Sequence, residues 1–165
     1  MWHKARVAAR AHLERPEERP GEFMATERTL AIIKPDVVKK RKQGAVLQRI
    51  LDEGFTVLGM RQVQLSLTDA EGFYAVHRGR GFFDELCQFM SSGPVVVLSL
   101  ERDDAVAHWR KVIGATDPAK AEAGTIRKEF GESVGVNAAH GSDSVENGLL
   151  ESSYFFTGVD LLQRS

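Results

Sequence analysis

Apolar and polar positions change period several times along the chain, and each change marks an element. Thr29-Leu-Ala-Ile-Ile33 is a short apolar run closed by Lys34-Pro35. A proline disfavours helix at the residue before it, so the run predicts a buried strand that ends there. From Ala45 to Glu53 the residues Val46, Leu47, Ile50 and Leu51 share one helical face, and Gly54 supplies the stop. Phe55 to Leu65 alternates around Val57, Val63 and Leu65 and predicts a second strand. Thr68-Asp-Ala-Glu71 has capping-box spacing, with a hydroxyl and a carboxylate placed to satisfy first-turn N–H groups; it predicts a helix through Tyr74 to His77. Phe83 to Met90 predicts another helix. After Gly93-Pro94, Val95 to Leu100 is apolar on both faces and predicts a third strand. Asp103 or Asp104 is placed to cap a helix through Trp109 to Ile113, and a last helix is predicted from about Ser144 to Phe156.

Two stretches stand apart. Residues 114 to 144 are rich in Gly, Ala, Asp and Ser and lack sustained periodicity, apart from a strand-like piece near Val134. An irregular region of that length in a compact domain is usually functional. Met1 to Phe23 carries five basic and four acidic residues, two prolines and little periodicity. It has neither the apolar core of a secretory signal nor the composition of a transit segment. We expect residues 1–23 to be a disordered extension or an added leader, and 24–165 to be the working domain. Strands mixed with helix pairs favour an α+β fold. The order fits a ferredoxin-like sandwich, a four-stranded antiparallel sheet covered by helices.

Charge and composition narrow the function classes. Lys and Arg number 22 against 23 Asp and Glu, which removes the cationic excess of a dedicated nucleic-acid or membrane-surface binder. The longest apolar stretch, around Val95 to Leu100, is far too short to span a bilayer. A single cysteine, Cys87, excludes an internal disulfide and a multi-thiolate zinc site. It sits among apolar residues on helical spacing, as a core thiol would, and suits a reducing compartment such as the cytoplasm.

The densest polar cluster is Asn137-Ala-Ala-His140-Gly-Ser-Asp-Ser144. A histidine can act as a neutral nucleophile at physiological pH, and the following glycine lets backbone approach a ligand. Equally, Ser142, Asp143 and Ser144 could cap the last helix with His140 a plain loop residue. No glycine-rich phosphate loop of either common kind occurs, so any phosphate would be held by side-chain cations. Lys34, Arg80, Arg110 and Arg127 stand at element ends. Taken singly, each also reads as a solvated surface charge.

Six motifs occur in order: Ile33-Lys34-Pro35-Asp36, Arg80-Gly-Phe82-Phe83, Met90-Ser-Ser-Gly93-Pro94, Gly114-Ala-Thr116-Asp-Pro118, Gly124-Thr-Ile-Arg127 and the His140 cluster. From about Glu27 onward the chain closely resembles nucleoside diphosphate kinases. The resemblance implies that His140 accepts the γ-phosphoryl group of ATP or another nucleoside triphosphate on Nδ1 and passes it to a nucleoside diphosphate. It implies that Glu151 holds the other ring nitrogen. Lys34, Arg80, Thr116 and Arg127 match phosphate ligands, with Arg110 beside them, and Asn137 with Lys34 matches contacts to the sugar 3′-hydroxyl. Phe82 matches the ring on which the base stacks, Leu86 and Val134 line that slot, and Tyr74 packs near the phosphates. The implied cofactor is Mg2+, held mainly by the nucleotide phosphates rather than by protein ligands. The implied assembly is a homo-oligomer, tetramer or hexamer, with the loop around Pro118 at trimer contacts. A non-catalytic nucleotide-sensing or interaction protein on the same fold is the alternative; the complete residue set speaks for the enzyme. Gly81, Val136 and the apolar Gly148-Leu149-Leu150 depart from the usual pattern, the glycine at a helix-interior cost of about 1 kcal/mol.

Overall fold

The computed structural model describes residues 26–162, so the expectation for residues 1–23 lies outside the described part. In chain order the elements are β1 (Thr26–Ile33), α1 (Pro35–Lys39), α2 (Gln43–Asp52), β2 (Thr56–Gln64), α3 (Leu67–Phe73), a 3-10 turn at Ala75–His77, and α4 (Phe83–Ser91). There follow β3 (Pro94–Asp103), α5 (Ala105–Ile113), α6 (Ile126–Phe130), β4 (Ala139–Gly141), α7 (Val145–Phe155) and a 3-10 turn at Val159–Leu161. The strands form one sheet in the order β2-β3-β1-β4, every neighbouring pair antiparallel. This is the ferredoxin-like arrangement. Among the described residues no helix is long and apolar enough to cross a membrane.

The central strands are apolar on both faces because both faces are covered. Ala31, Ile33, Val96, Leu98 and Leu100 pack with Val46 and Ile50 of α2 and with Trp109 and Ile113 of α5. Leu30, Ile32, Val95 and Val97 face the other way, against Phe83, Cys87 and Met90 of α4 and against Phe156. Cys87 is therefore a buried core thiol.

Several local expectations shift. The alternation through β2 breaks: a bulge between Val57 and Gly59 slips the register. Since side-chain facing has period two, the extra residue sends Val57 to one core and Val63 to the other. The capping box lies two residues earlier than Thr68. Ser66 Oγ accepts from the Asp69 amide at 3.1 Å, and the Asp69 carboxylate accepts from the Ser66 amide at 2.9 Å. The helix then ends at Phe73, and Ala75–His77 is the 3-10 turn. Asp104 precedes α5 but has left-handed backbone, φ 57°, and no side-chain cap. The first-turn amide of Val106 donates instead to Glu27 of β1, at 3.3 Å. The irregular region contains α6, and its strand is not at Val134 but at Ala139–Gly141, where pairing with β1 sets His140 opposite Ile32.

Two glycines serve close packing. A Cβ on Gly141 would meet Trp109 at 2.6 Å, so this glycine admits an indole rather than a ligand. A Cβ on Gly148 would lie 2.1 Å from the Arg28 carbonyl oxygen: α7 rests directly on the β1 backbone. In an ordinary helix interior Gly→Ala adds about 1 kcal/mol of stability. Here Gly148→Ala is expected to destabilise the fold by about 1–3 kcal/mol through overpacking, read as a lower urea midpoint. An equal or higher midpoint would show that α7 stands clear of β1.

Candidate functional site

The end of β1, the edge strand β4 and the start of α7 meet beside a cavity of about 830 Å³. His140 enters it from β4. Its Nε2 lies 2.9 Å from Glu151 Oε2, and Ser142 Oγ donates to the same carboxylate oxygen at 2.6 Å. Ser142 is fully buried and accepts from the Leu30 amide at 3.0 Å. The chain of bonds thus runs from the central strand through Ser142 to Glu151 and on to the imidazole. An Nε2–H donor toward Glu151 selects the tautomer whose Nδ1 carries a free lone pair. Rotation of the ring is also restricted. Phe73 meets it edge-on at 5.5 Å and Tyr74 at 6.1 Å, and the Trp109 indole donates to the His140 carbonyl at 3.0 Å.

Cations converge on the same cavity. Lys34, at the β1 end, is buried and donates from Nζ to Asn137 Oδ1 at 2.6 Å. Asn137 Nδ2 in turn donates to the Thr116 carbonyl at 3.1 Å. Arg127, at the start of α6, is braced by bonds of 2.9 Å to the Gly114 and Ala139 carbonyls, while its Nε is buried without a partner. Arg110 and Thr116 line the same cavity. Burial, and then the Arg127 charge, draw the Lys34 ammonium down to about 8, against a smaller upward pull from Asp36. Burial and Arg110 draw Arg127 down to about 10. The Tyr74 phenol, raised by burial and by Glu151, is likewise unpartnered. A buried lysine beside a half-buried arginine, with Arg110 at the exposed side and a donor left over, forms a site for an anion.

One wall is apolar. Phe82, Leu86 and Val134 line it, Phe82 and Val134 each more than half exposed. His77 stacks on Tyr74 at 6.2 Å and lies 5.5 Å from Phe82.

Eleven of the residues singled out from sequence therefore share one cavity: His140, Glu151, Lys34, Tyr74, Phe82, Leu86, Arg110, Thr116, Arg127, Val134 and Asn137. Arg80 is not among its lining residues. It occupies an exposed turn closed by its amide on the His77 carbonyl at 3.0 Å, and Phe82, two residues on, is the one that reaches the wall. Sequence reasoning missed Ser142 as a link in the histidine relay. Its neighbours Asp143 and Ser144 read as helix caps, and Ser144 is one, accepting from the Asn147 amide at 3.1 Å. Only the fold brings Leu30 next to Ser142.

An imidazole positioned in one cavity with clustered cations suits, in its neutral form, nucleophilic attack on an anionic electrophile such as a phosphoryl group. Comparison with known proteins points the same way. The family model for nucleoside diphosphate kinase matches residues 27–161. The chain is 59% identical over 138 residues to the nucleoside diphosphate kinase of Sorangium cellulosum, covering 84% of this chain and 96% of that one. It is 57% identical over 136 residues to that of Syntrophotalea carbinolica, covering 82% and 99%. Among solved structures, the Aquifex aeolicus enzyme superposes with a TM-score of 0.81 at 42% identity, over 84% of this chain and all of that one. A Halobacterium salinarum nucleoside diphosphate kinase in complex with CDP gives 0.81 at 34% identity, over 86% and 94%.

Lys34 predicts a pH dependence with a definite sign. Its folded value lies below that of an unfolded lysine, so between about 8 and 10.5 the unfolded chain binds more protons. Stability contributed by this group should therefore rise with pH across that window. Anion affinity should do the opposite, falling as pH passes about 8 and the ammonium is lost. Calorimetric titration with a phosphate-bearing ligand from pH 7 to 9.5 measures this, and Lys34→Arg should remove the fall.

Proposed function

The chain belongs to the nucleoside diphosphate kinase family, and on that premise we propose that His140 is the residue through which this enzyme transfers phosphoryl groups from nucleoside triphosphates to nucleoside diphosphates. In the first half-reaction His140 Nδ1 attacks the γ-phosphorus. The N–P bond forms as the bond to the β–γ bridging oxygen breaks, and the diphosphate leaves with that electron pair. A second nucleoside diphosphate then attacks the phosphohistidine through its terminal oxygen, and the imidazole is the leaving group. One histidine serving donor and acceptor in turn gives ping-pong kinetics. The observation that carries the assignment is the contact of 2.9 Å between Nε2 and Glu151, which in the neutral ring places the proton on Nε2 and leaves the lone pair on Nδ1.

The other residues act by position and charge, the main contribution a protein makes to phosphoryl transfer. Arg127, Arg110 and Lys34 balance charge on the transferring group, and Thr116 adds a hydroxyl. The Tyr74 hydroxyl is a spare donor beside the histidine. Arg80 stays in this set on the resemblance alone, since it lies off the wall. Asn137 Oδ1 has a lone pair beyond the one Lys34 occupies, and Nδ2 a proton beyond the one given to Thr116, so the pair retains capacity for a sugar hydroxyl. Phe82 and Val134, with Leu86 behind them, offer an apolar slot. Stacking there is tolerant of base identity because every base has a π-face, which supports broad base specificity.

The family's reaction requires a divalent cation, and we assign Mg2+. Among the described residues no three His, Cys, Asp or Glu side chains gather to hold a metal. Lys34, Arg110 and Arg127 line the cavity together with the separate carboxylates of Glu85, Asp143 and Glu151, so phosphate oxygens and water would supply most of the donors for the octahedral preference of this ion. When bound, it neutralises phosphate charge and orients the β- and γ-phosphates. We further propose that the enzyme is a cytoplasmic homo-oligomer, tetramer or hexamer. The exposed Met60 on the edge strand β2 and the exposed Leu149 on α7 support burial of further apolar surface, which light scattering in solution would test.

Incubation with γ-labelled ATP should give an acid-labile phosphoenzyme that a different nucleoside diphosphate discharges. His140→Ala should bind nucleotide but lose both the label and turnover. Retention of transfer at the wild-type rate would overturn the assignment.

A further inference from the structure

One buried carboxylate beside the site has no role in the chemistry above. Asp36 lies two residues beyond Lys34, at the start of α1, and is 7% exposed. Its Oδ2 accepts the Ala138 amide at 3.1 Å, across 102 residues of chain. Ala138 has left-handed backbone, φ 69°, a conformation that a residue with a Cβ adopts only when its surroundings hold it there. The hold is complete on both sides of the residue. The Ala138 carbonyl accepts the Lys34 amide at 2.9 Å, so both backbone polar groups of Ala138 are tied to the Lys34–Asp36 segment. Pro35, between the two ties, has its own φ locked by its ring.

What this strained residue joins explains the investment. Immediately before it is Asn137, whose side chain takes the Lys34 ammonium at 2.6 Å. Immediately after it begins β4, with Ala139 and His140 in register with Ile33 and Ile32. The left-handed turn at Ala138 is therefore the joint at which the chain passes from the cation wall to the nucleophile. We propose that Asp36 is a positioning residue of the phosphoryl transfer, holding the Ala138 amide so that Asn137 and His140 keep their relative placement. This rests on the assignment of His140 as the phosphoryl carrier. The contact required is a hydrogen-bond acceptor at Oδ2. A net negative charge is secondary, which separates this role from simple charge balance for Lys34.

The test compares three substitutions at one position. Asp36→Asn keeps the shape and an acceptor oxygen. Asp36→Leu keeps the approximate volume without an acceptor, and Asp36→Ala removes both. Each is read by the single-turnover rate of phosphohistidine formation, by kcat and KM, and by the urea midpoint. The positioning role expects Asp36→Leu and Asp36→Ala to lose at least about tenfold in the single-turnover rate and kcat per folded molecule. KM for the diphosphate should change less than threefold, and Asp36→Asn should stay within threefold of wild type. A lower urea midpoint with unchanged kcat in the leucine and alanine variants would overturn the inference, leaving a structural role only. A tenfold loss in Asp36→Asn would also overturn it, by making the charge essential. If leucine and alanine give no folded protein, Asp36→Asn decides alone on those limits. Absence of any acid-labile phosphate on the wild-type enzyme would instead defeat the assignment of His140, so the two failures are distinct.

Discussion

The hydrogen bond between His140 and Glu151 is the constraint on which the site turns, and its strength comes from what stands behind it. A lone carboxylate on an exposed helix would swing among rotamers and would hold the imidazole only part of the time. Here the same oxygen also receives the Ser142 hydroxyl, and Ser142 is fixed by the Leu30 amide in the middle of the sheet. The ring is thereby referenced to an inner strand of the sheet. Gly148 makes the geometry accessible, because only a residue without a side chain lets α7 settle on β1 closely enough for Glu151 to reach the ring.

The cation wall follows a different logic. Lys34 and Arg127 are drawn down by burial and by like charge, which is a cost to the fold. That cost is lowered by tying the ammonium to Asn137 and the guanidinium to two carbonyls, leaving the Arg127 Nε and the Tyr74 hydroxyl without partners. Under the proposed function, an arriving triphosphate would meet groups that are already oriented and only partly satisfied. Preorganised charge of this kind stabilises a transition state without reorganisation at the moment of transfer.

The unity of the site depends on a small number of crossings between distant parts of the chain. Asp36 and Lys34 meet residues 137 and 138 more than a hundred positions away, and Leu30 meets Ser142 at a separation of 112. Local pattern located β1, α2, α4 and β3 well, because burial on one or both faces dictates their periodicity. It misplaced the cap of α3 and the fourth strand, and it missed the parity slip in β2. Those features hinge on which of several adjacent hydroxyls finds an amide, and on the position of one bulge. Neither leaves a distinct mark in hydrophobic spacing.

Most site residues were legible as residue types in recognisable motifs: a histidine ahead of a glycine and serines, a lysine before a proline, arginines at element ends. The sequence by itself determined the α+β class, the apolar central strands and the chemical inventory of the site, since these follow from local composition and period. Tertiary structure alone decided that eleven of those side chains share one cavity while Arg80 does not line it, that Ser142 belongs to the histidine relay rather than to a helix cap, and that Gly148 and Gly141 serve close packing. These outcomes depend on sheet order and on contacts between residues far apart in the chain, and a one-dimensional pattern holds no record of which distant backbone a side chain will meet.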